Sequence, residues 1–547
     1  MGVLPLRVLD VSPKYLFRSA FSNFLQLKEQ FLALRAEKAK RLWFVDSEYF
    51  GLRALEALEA ELVKLARLRR FAVASTLFVE NADSIKRTIL FYHRYDRTFL
   101  GAAVSCCFIA WITLVWCYLT RFVWDRSISL FTKETIIPSK YFSGLLILTL
   151  LFCLYCRLPW SNFIYLLLPV YLLSVVENLL NIVHKVKEFV KDCIANYATM
   201  SFSFLLKPFL GFVGTSVLLF IFVIVFIDRR FLAGIFVLLL FLPNLYDSKV
   251  TDDWSKAWRI CCVILLPFPF FPNVGTFEMH FICILAPVLL AILLRYLAEH
   301  PLLAKKKNDL RMLAGLLFIT AGLILVSSYL FQKPPALLRL ISWCSLPLSL
   351  ILPLFAPPTI VDKSVWHISS LFIPFSLLSI AYESIFALCF LPLLFLFLRF
   401  EFSHLSDIEF LHVKADLSTD PMCNSKSTRV AGAEIRRAIT CVCFVLASLF
   451  GTGNFASMNS FNPSTLSRFI SVFSPFTMAA LLVLKLLIPL LMVALLFSAV
   501  LRFNKEAIQR LSCLVLIITD LMAMVCCFEL FSLVNHLLLS IVFLRDA

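Results

Sequence analysis

FGTGNFASMNSF, residues 450–461, lies between two long apolar runs and gathers residue types that handle polar ligands. Gly451 and Gly453 allow positive φ and close backbone approach. Asn454 and Asn459 carry amides that both donate and accept, and Ser457 and Ser460 add hydroxyls. Such a loop either holds a polar headgroup at a membrane surface or caps two helices, and these residues serve both. GTGNFA (451–456) also matches the letters of the dinucleotide fingerprint G-x-G-x-x-A. The context fails: an apolar span precedes it instead of a strand, and no acidic residue follows about twenty positions on to hold a ribose. A P-loop lysine is missing too.

Ionisable side chains inside apolar runs are costly and point to function. Lys485 sits in LLVLKLLIPLL, Glu383 in SIAYESIF and Asp520 in LIITDLMAMV. Lys485 and Asp520 suit an ion pair between neighbouring helices; alternatively they bind a lipid phosphate or conduct ions. Glu383 is a functional carboxylate or the turn between two spans within 364–400. FYHRYDRTFLG (91–101) brings His93, Asp96 and Arg97 together, as acid/base groups or as ordinary interfacial anchors. His404, Asp407, Glu409 and His412 have metal-binding side chains, but their setting reads as a polar loop. Cys153 and Cys156 form a C-x-x-C with no second pair or His beside it, which favours buried thiols over zinc or redox chemistry. There is no Ser-His-Asp arrangement, no H-E-x-x-H and no Asp-His-Gly stretch of two-metal phosphoryl enzymes.

The elements that must position these residues are helices in lipid. Of the 547 residues 61% are hydrophobic, 56 are Phe and only 13 are Gly. That load indicates an all-α, polytopic membrane bundle, since backbone amides in lipid are satisfied within helices. The net charge of +16 is spread through loops between spans, a pattern that excludes a nucleic-acid face. Residues 1–98 differ: Phe17, Phe21, Phe24, Leu25, Phe31 and Leu32 recur at helical spacing, and 52–70 reads as a second amphipathic helix. This region is expected to be a small helical cap, and 99–547 the transmembrane domain. About fourteen spans are predicted: 99–120, 139–156, 158–176, 208–227, 231–242, 258–273, 278–298, 312–331, 340–359, 364–382, 384–400, 438–450, 472–500 and 511–529. Numbering the connecting loops in order, the odd ones hold roughly two dozen Lys and Arg and the even ones about six. Odd loops are therefore expected in the cytosol. Residues 1–98 and the even loops, GTGNFASMNS included, are expected on the opposite, lumenal side.

FGTGNFASMNSF followed by VFSPFTMAALLVLKLLIP (472–489) closely resembles the membrane domain of the PIG-N family of GPI ethanolamine phosphate transferases. YHRYDRTFLG (92–101), LPWSNFIYLLLP (158–169), ISWCSLPLSLILPL (341–354), AYESIF (381–386), EIRRA (434–438) and VLIITDLMAM (515–524) match in the family's order. The resemblance implies a multi-pass protein of the endoplasmic reticulum membrane. It also implies transfer of phosphoethanolamine from phosphatidylethanolamine to the first mannose of a GPI precursor in the lumen. Both lipids are then partners; no protein partner is implied. Family members carry an alkaline-phosphatase-type catalytic domain before GVLP, which here is residues 2–5. The resemblance thus places the catalytic residues and a divalent metal, zinc, outside this chain, and leaves the chain itself without a cofactor. A fragment, inactive alone, is expected, or else a genuine non-catalytic product. Gly451, Gly453, Asn454, Asn459 and Ser460 are expected to line a lumenal surface that contacts a headgroup or the catalytic domain. Lys485, with Glu383 and Asp520, is expected in a lipid-phosphate or helix-pairing role. A transporter and a GPI-lipid-binding scaffold remain the alternatives.

Overall fold

The computed structural model describes residues 11–40, 44–95, 97–124, 140–182, 202–246, 252–272, 274, 278–299, 307–330, 334–403, 405–413, 432–453, 466–501 and 509–527. Among them there are helices and turns but no strand, as the composition requires. The chain divides into two compact units, residues 1–117, 128–194 and 527–547 in the first and 118–127 and 195–526 in the second.

The first unit opens with α1 (Pro13–Lys38), α2 (Leu52–Arg67) and α3 (Phe71–Arg94). Apolar residues three and four apart form one stripe per helix: Phe17, Phe24, Leu27 and Phe31 on α1, Leu55, Leu58 and Leu62 on α2, Phe78, Ile85 and Ile89 on α3. The expected α1 face is partly revised. Leu27 turns inward, whereas Leu25 and Leu32 stand exposed on the flank. Beside this core the Asp46 carboxylate takes both Arg35 nitrogens, Nη2 at 2.7 Å and Nε at 3.2 Å, and the Tyr92 hydroxyl donates to it. α4 (Arg97–Trp124) follows, and then α5 (Lys140–Tyr155) and α6 (Trp160–Ile182) pack against each other. The reversal between them needs one left-handed residue, Arg157 at φ 52, and the Leu158 N–H reaches back to the Cys153 carbonyl at 3.1 Å. Cys153 and Cys156 are buried free thiols in that corner.

The second unit is built from α7 (Phe202–Ile227), α8 (Leu232–Leu240), α9 (Asp252–Leu265), α10 (His280–Glu299), α11 (Lys307–Leu325), α12 (Ala336–Ile351), α13 (Ile360–Leu378), α14 (Glu383–Glu401), α15 (Asp407–His412), α16 (Gly432–Phe450), α17 (Pro475–Leu501) and α18 (Gln509–Cys527). The α13–α14 hairpin is its centre, buried along most of its length. α10, α12, α16 and α17 pack around that hairpin or against one another. Trp258, fully buried on α9, donates to the Leu239 carbonyl of α8 at 2.7 Å and packs edge-on to Phe400. Prolines 287, 347, 374, 392 and 489 sit inside helices, which membrane spans tolerate when neighbouring groups take up the freed carbonyls.

Each of the fourteen expected spans contains a helix, but the expected count is not confirmed. Among the described residues 8 helices are long and apolar enough to cross a membrane. α8 and α9 run only about 14 and 21 Å at 1.5 Å per residue, short of a ~30 Å core. They nonetheless connect opposite ends. Residues 228–231 and 268–272 meet at one end, whereas Leu245 and Tyr246 meet Arg436 and Glu401 at the other.

Every described cross-link between loops of this unit respects that division. Arg229 meets 268–271 and Tyr382; Met279 bonds Ile380; Arg468 bonds Leu377 and Ser379; Trp343 bonds Phe469. At the opposite end Arg436 and Arg437 meet Glu401, Ile360 bonds Val413 and Arg510 meets Glu434. Within this unit the cross-linked even-numbered loops gather at one end and the cross-linked odd-numbered loops at the other.

Candidate functional site

The even-loop end is organised by Arg229. Beside it PFPFFP (267–272) has three prolines that cannot donate, so only the Phe270 and Phe271 N–H groups turn back, onto Pro267 O and Phe268 O, and its carbonyls keep acceptor capacity to spare. The Arg229 guanidinium collects them: Nε donates to Pro269 O at 3.1 Å, and Nη2 to Phe268 O at 3.1 Å and Phe271 O at 2.6 Å. Nη1 donates to the Tyr382 hydroxyl at 2.9 Å, which in turn donates to Pro272 O at 2.9 Å. Asp228 caps the following 3₁₀ turn, accepting from the Arg230 N–H at 2.9 Å.

GTG arrives against this assembly at the end of α16. Gly451 N–H closes the helix on Ala447 O at 2.9 Å, and Gly453 turns away at φ 71. A Cβ on Gly453 would fall 2.4 Å from both Arg229 Nη1 and the Tyr382 hydroxyl oxygen; one on Gly451 would fall 2.1 Å from Phe386 Cζ. Both glycines therefore permit close approach, and Gly453 also supplies a left-handed backbone. Asn454, Asn459 and Ser460 lie outside the described residues. A cleft of about 470 Å³ opens here, with Asp228, Arg229, Arg230 and Gly453 as its polar lining and Phe226 and Phe270 among its apolar walls.

A second cluster lies in the protein interior. Glu383, fully buried at the first turn of α14, accepts the Ile380 N–H at 2.7 Å and faces Lys485 Nζ at 2.7 Å. The expected pairing is corrected: the carboxylate beside Lys485 is Glu383, while Asp520 sits partly exposed on α18. α17 runs past the α13–α14 break, so Lys485 meets a carboxylate that the turn itself carries. Glu383 is thus both a turn residue and an ion-pair member. Arg468, 4% exposed, donates to Leu377 O at 2.9 Å, Ser379 O at 2.7 Å and Ser328 Oγ at 3.1 Å. Arg468 thus holds the break at 379–382 through Ser379 O, and Glu383 holds it through the Ile380 N–H, with Lys485 paired to that carboxylate.

Two sequence candidates lie elsewhere. His93 is exposed, and the side chains of Asp96, Arg97, His404 and Asp407 lie outside the description. Glu409 forms a capping box with Ser406, a helix-start role. No three His, Cys, Asp or Glu come together among the described residues. Sequence reasoning missed Arg229, Arg468 and Tyr382 as organisers. A signal existed: Arg229, Arg230 and Arg468 are three of the few basic residues on the charge-poor side, where a cation needs a local reason.

The model of the family described as Phosphatidylinositolglycan class N (PIG-N) matches residues 87–531, which contain the whole of both clusters. The human protein called GPI ethanolamine phosphate transferase 1 is 29% identical over 96% of this chain and 57% of its own length. The mouse protein of that name is 28% identical over the same shares, and the Schizosaccharomyces pombe one 23% over 89% of this chain and 54% of its own. The chain therefore spans little more than half the length of these relatives. No solved structure matches it. With most of its length, and both polar clusters, inside that family match, the chain is a multi-pass α-helical membrane protein belonging to the PIG-N family.

Proposed function

We propose that this chain is the membrane part of a GPI ethanolamine phosphate transferase acting at the endoplasmic reticulum, and that its even-loop end faces the lumen. The reaction would move phosphoethanolamine from phosphatidylethanolamine to the first mannose of a GPI precursor. The observation that carries this reading is the meeting of Asp228, Arg229, residues 269–272 and Gly453 around one cleft at one end of the bundle, with Tyr382 bonded to the Arg229 that lines it. Two lipid substrates reach a common surface most efficiently when a scaffold holds their headgroups in register, because positioning supplies much of the rate of a bimolecular transfer. The family resemblance supports a metal-bearing catalytic domain docked on that end, with a divalent ion outside this chain. Asn454, Asn459 and Ser460 follow Gly453 within seven residues of sequence and are assigned to the same surface in this reading.

The test is a chimaera that joins the part of the human relative not covered by this chain to residues 1–547, expressed in cells lacking the corresponding enzyme. Mass spectrometry of GPI precursors should show phosphoethanolamine restored on the first mannose. Asn454→Ala with Asn459→Ala should impair that transfer at normal expression. A well-expressed chimaera that leaves the precursor unmodified sinks the transferase reading. Solute uptake by this chain in vesicles would favour a transporter, for which the buried Lys485–Glu383 pair is the supporting feature.

A further inference from the structure

We propose that the cleft beside Asp228 and Arg230 holds a zwitterionic phospholipid headgroup, a phosphate ester bearing a protonated amine, with the acyl chains running along its phenylalanine wall. This deepens the transferase reading and rests on it only in assigning the cleft to the phospholipid donor instead of the glycolipid acceptor.

The charges are arranged for both ends of such a headgroup. Arg229 is committed, since its guanidinium binds three backbone carbonyls and the Tyr382 hydroxyl, so the floor carries a fixed positive charge with no carboxylate bonded to it. Arg230, one residue on, is exposed, and its guanidinium makes no hydrogen bond to a described residue. It is free to bind phosphate oxygens in the forked geometry that guanidinium favours. Asp228 spends Oδ1 on the Arg230 N–H at 2.9 Å, while Oδ2 accepts from no described residue. A carboxylate two residues from a free guanidinium offers an ammonium its counter-charge. The same carboxylate repels a headgroup that carries only negative charge, so it discriminates between lipids as well as attracting one.

The walls select a lipid over a free phosphate ester. Phe226, Ile227, Phe270 and Phe271 are 45%, 58%, 62% and 42% exposed around the cleft, and α7 brings the first two up from a span-like apolar helix. A free phosphate ester has no apolar part to lay against such a wall, whereas acyl chains lie against it as they do against lipid. The volume, about 470 Å³, falls in the ~300–1,000 Å³ range of small-molecule sites.

The test is lipid retention, which needs no catalysis. The full chain in detergent is given equal mole fractions of phosphatidylethanolamine and phosphatidylglycerol, and bound lipid is read by native mass spectrometry. Phosphatidylethanolamine should be retained over phosphatidylglycerol by about tenfold, the effect of one charge contact of ~1.4 kcal/mol. Arg230→Gln should lower retention of both lipids. Asp228→Asn should abolish the preference at an unchanged thermal midpoint, because Asn caps a helical turn as well as Asp does. Equal retention of both lipids by the parent chain overturns the zwitterion assignment. Unchanged retention in both variants overturns the cleft. Displacement of bound lipid by glycerophosphoethanolamine at concentrations no higher than those of the lipid would show that the wall contributes nothing, and overturns a lipid occupant. A chimaera that fails to transfer while its membrane chain still selects phosphatidylethanolamine would remove the transferase reading and leave this one standing.

Discussion

At the scale of single residues, the Lys485–Glu383 pair shows how a buried charge is held. Glu383 is fully buried and Lys485 is 1% exposed, so desolvation of both is nearly complete and only their 2.7 Å contact and the Ile380 N–H offset it. Removing one partner leaves the other charged, buried and unpaired. Lys485→Met and Glu383→Gln are each expected to destabilise the protein by about 3–5 kcal/mol. The double variant should recover most of that loss, and thermal unfolding in detergent reads it. A Lys485→Met protein with unchanged stability, and unchanged turnover in the chimaera, would refute both the pairing and the lipid-phosphate role. Lys485 and Glu383 were visible in the sequence because a charge inside an apolar run is conspicuous. Their pairing was not, because it depends on which helices cross, and Asp520 offered an equally good carboxylate. Arg468 and Arg229 hid for another reason: in loop segments a cation reads as solvated, and only the structure shows each donating to backbone carbonyls. The two glycines were legible as needing backbone freedom, but the neighbours that exclude a Cβ, Phe386 and Tyr382, lie more than fifty residues away.

At the scale of elements, the three-helix cap of the first unit combines a phenylalanine core with one polar bolt. Asp46 holds α1 through Arg35 and α3 through Tyr92, and its carboxyl is depressed below 3.8, chiefly by the Arg35 hydrogen bonds and further by the Tyr92 hydroxyl. A carboxyl with a depressed folded pKa contributes stability that is fully present above its unfolded value and fades as pH falls through the folded one. Amides of α1 and α3 should accordingly keep their hydrogen-exchange protection down to about pH 4 and lose it progressively in stronger acid. In Asp46→Asn that acid-dependent loss should shrink, with lower protection already present at neutral pH. An acid profile identical to the parent's would show that the bolt carries no load. The helical period disclosed the α1 stripe from residues 17–31, yet it misassigned Leu25 and Leu32, which stand one residue past Phe24 and Phe31, about 100° around the helix. α8 and α9 were legible as apolar segments but not as short helices closed by 3₁₀ turns at Pro243 and the 267–272 prolines.

At the scale of the whole chain, the segregation of loop contacts constrains topology within the second unit. An error of one crossing anywhere between residues 228 and 510 would place an even loop among odd ones. Instead 228–231, 268–272, 279, 377–383 and 468–469 are cross-linked with one another, and 245–246, 401, 434–437 and 510 likewise. The short pair α8 and α9 must therefore count as two passages between the ends, although neither alone matches a bilayer's thickness. The basic residues, about two dozen against six, add the direction that packing alone lacks: the odd-loop end should face the cytosol. The sequence contains no N-x-Ser/Thr acceptor, the single candidate at Asn462 being closed by Pro463, so an introduced acceptor is its own reporter. Acceptor sites on flexible linkers inserted near 274–277 and within 454–465 should both receive glycans in microsomes, and one within 414–431 should not. Glycosylation at 414–431 alone would invert the orientation and place the Asp228–Arg230 cleft on the side opposite to a lumenal transfer. A mixed result, with 274–277 and 454–465 differing, would contradict the shared end itself, and with it the surface that Arg229, Tyr382 and Gly453 build together.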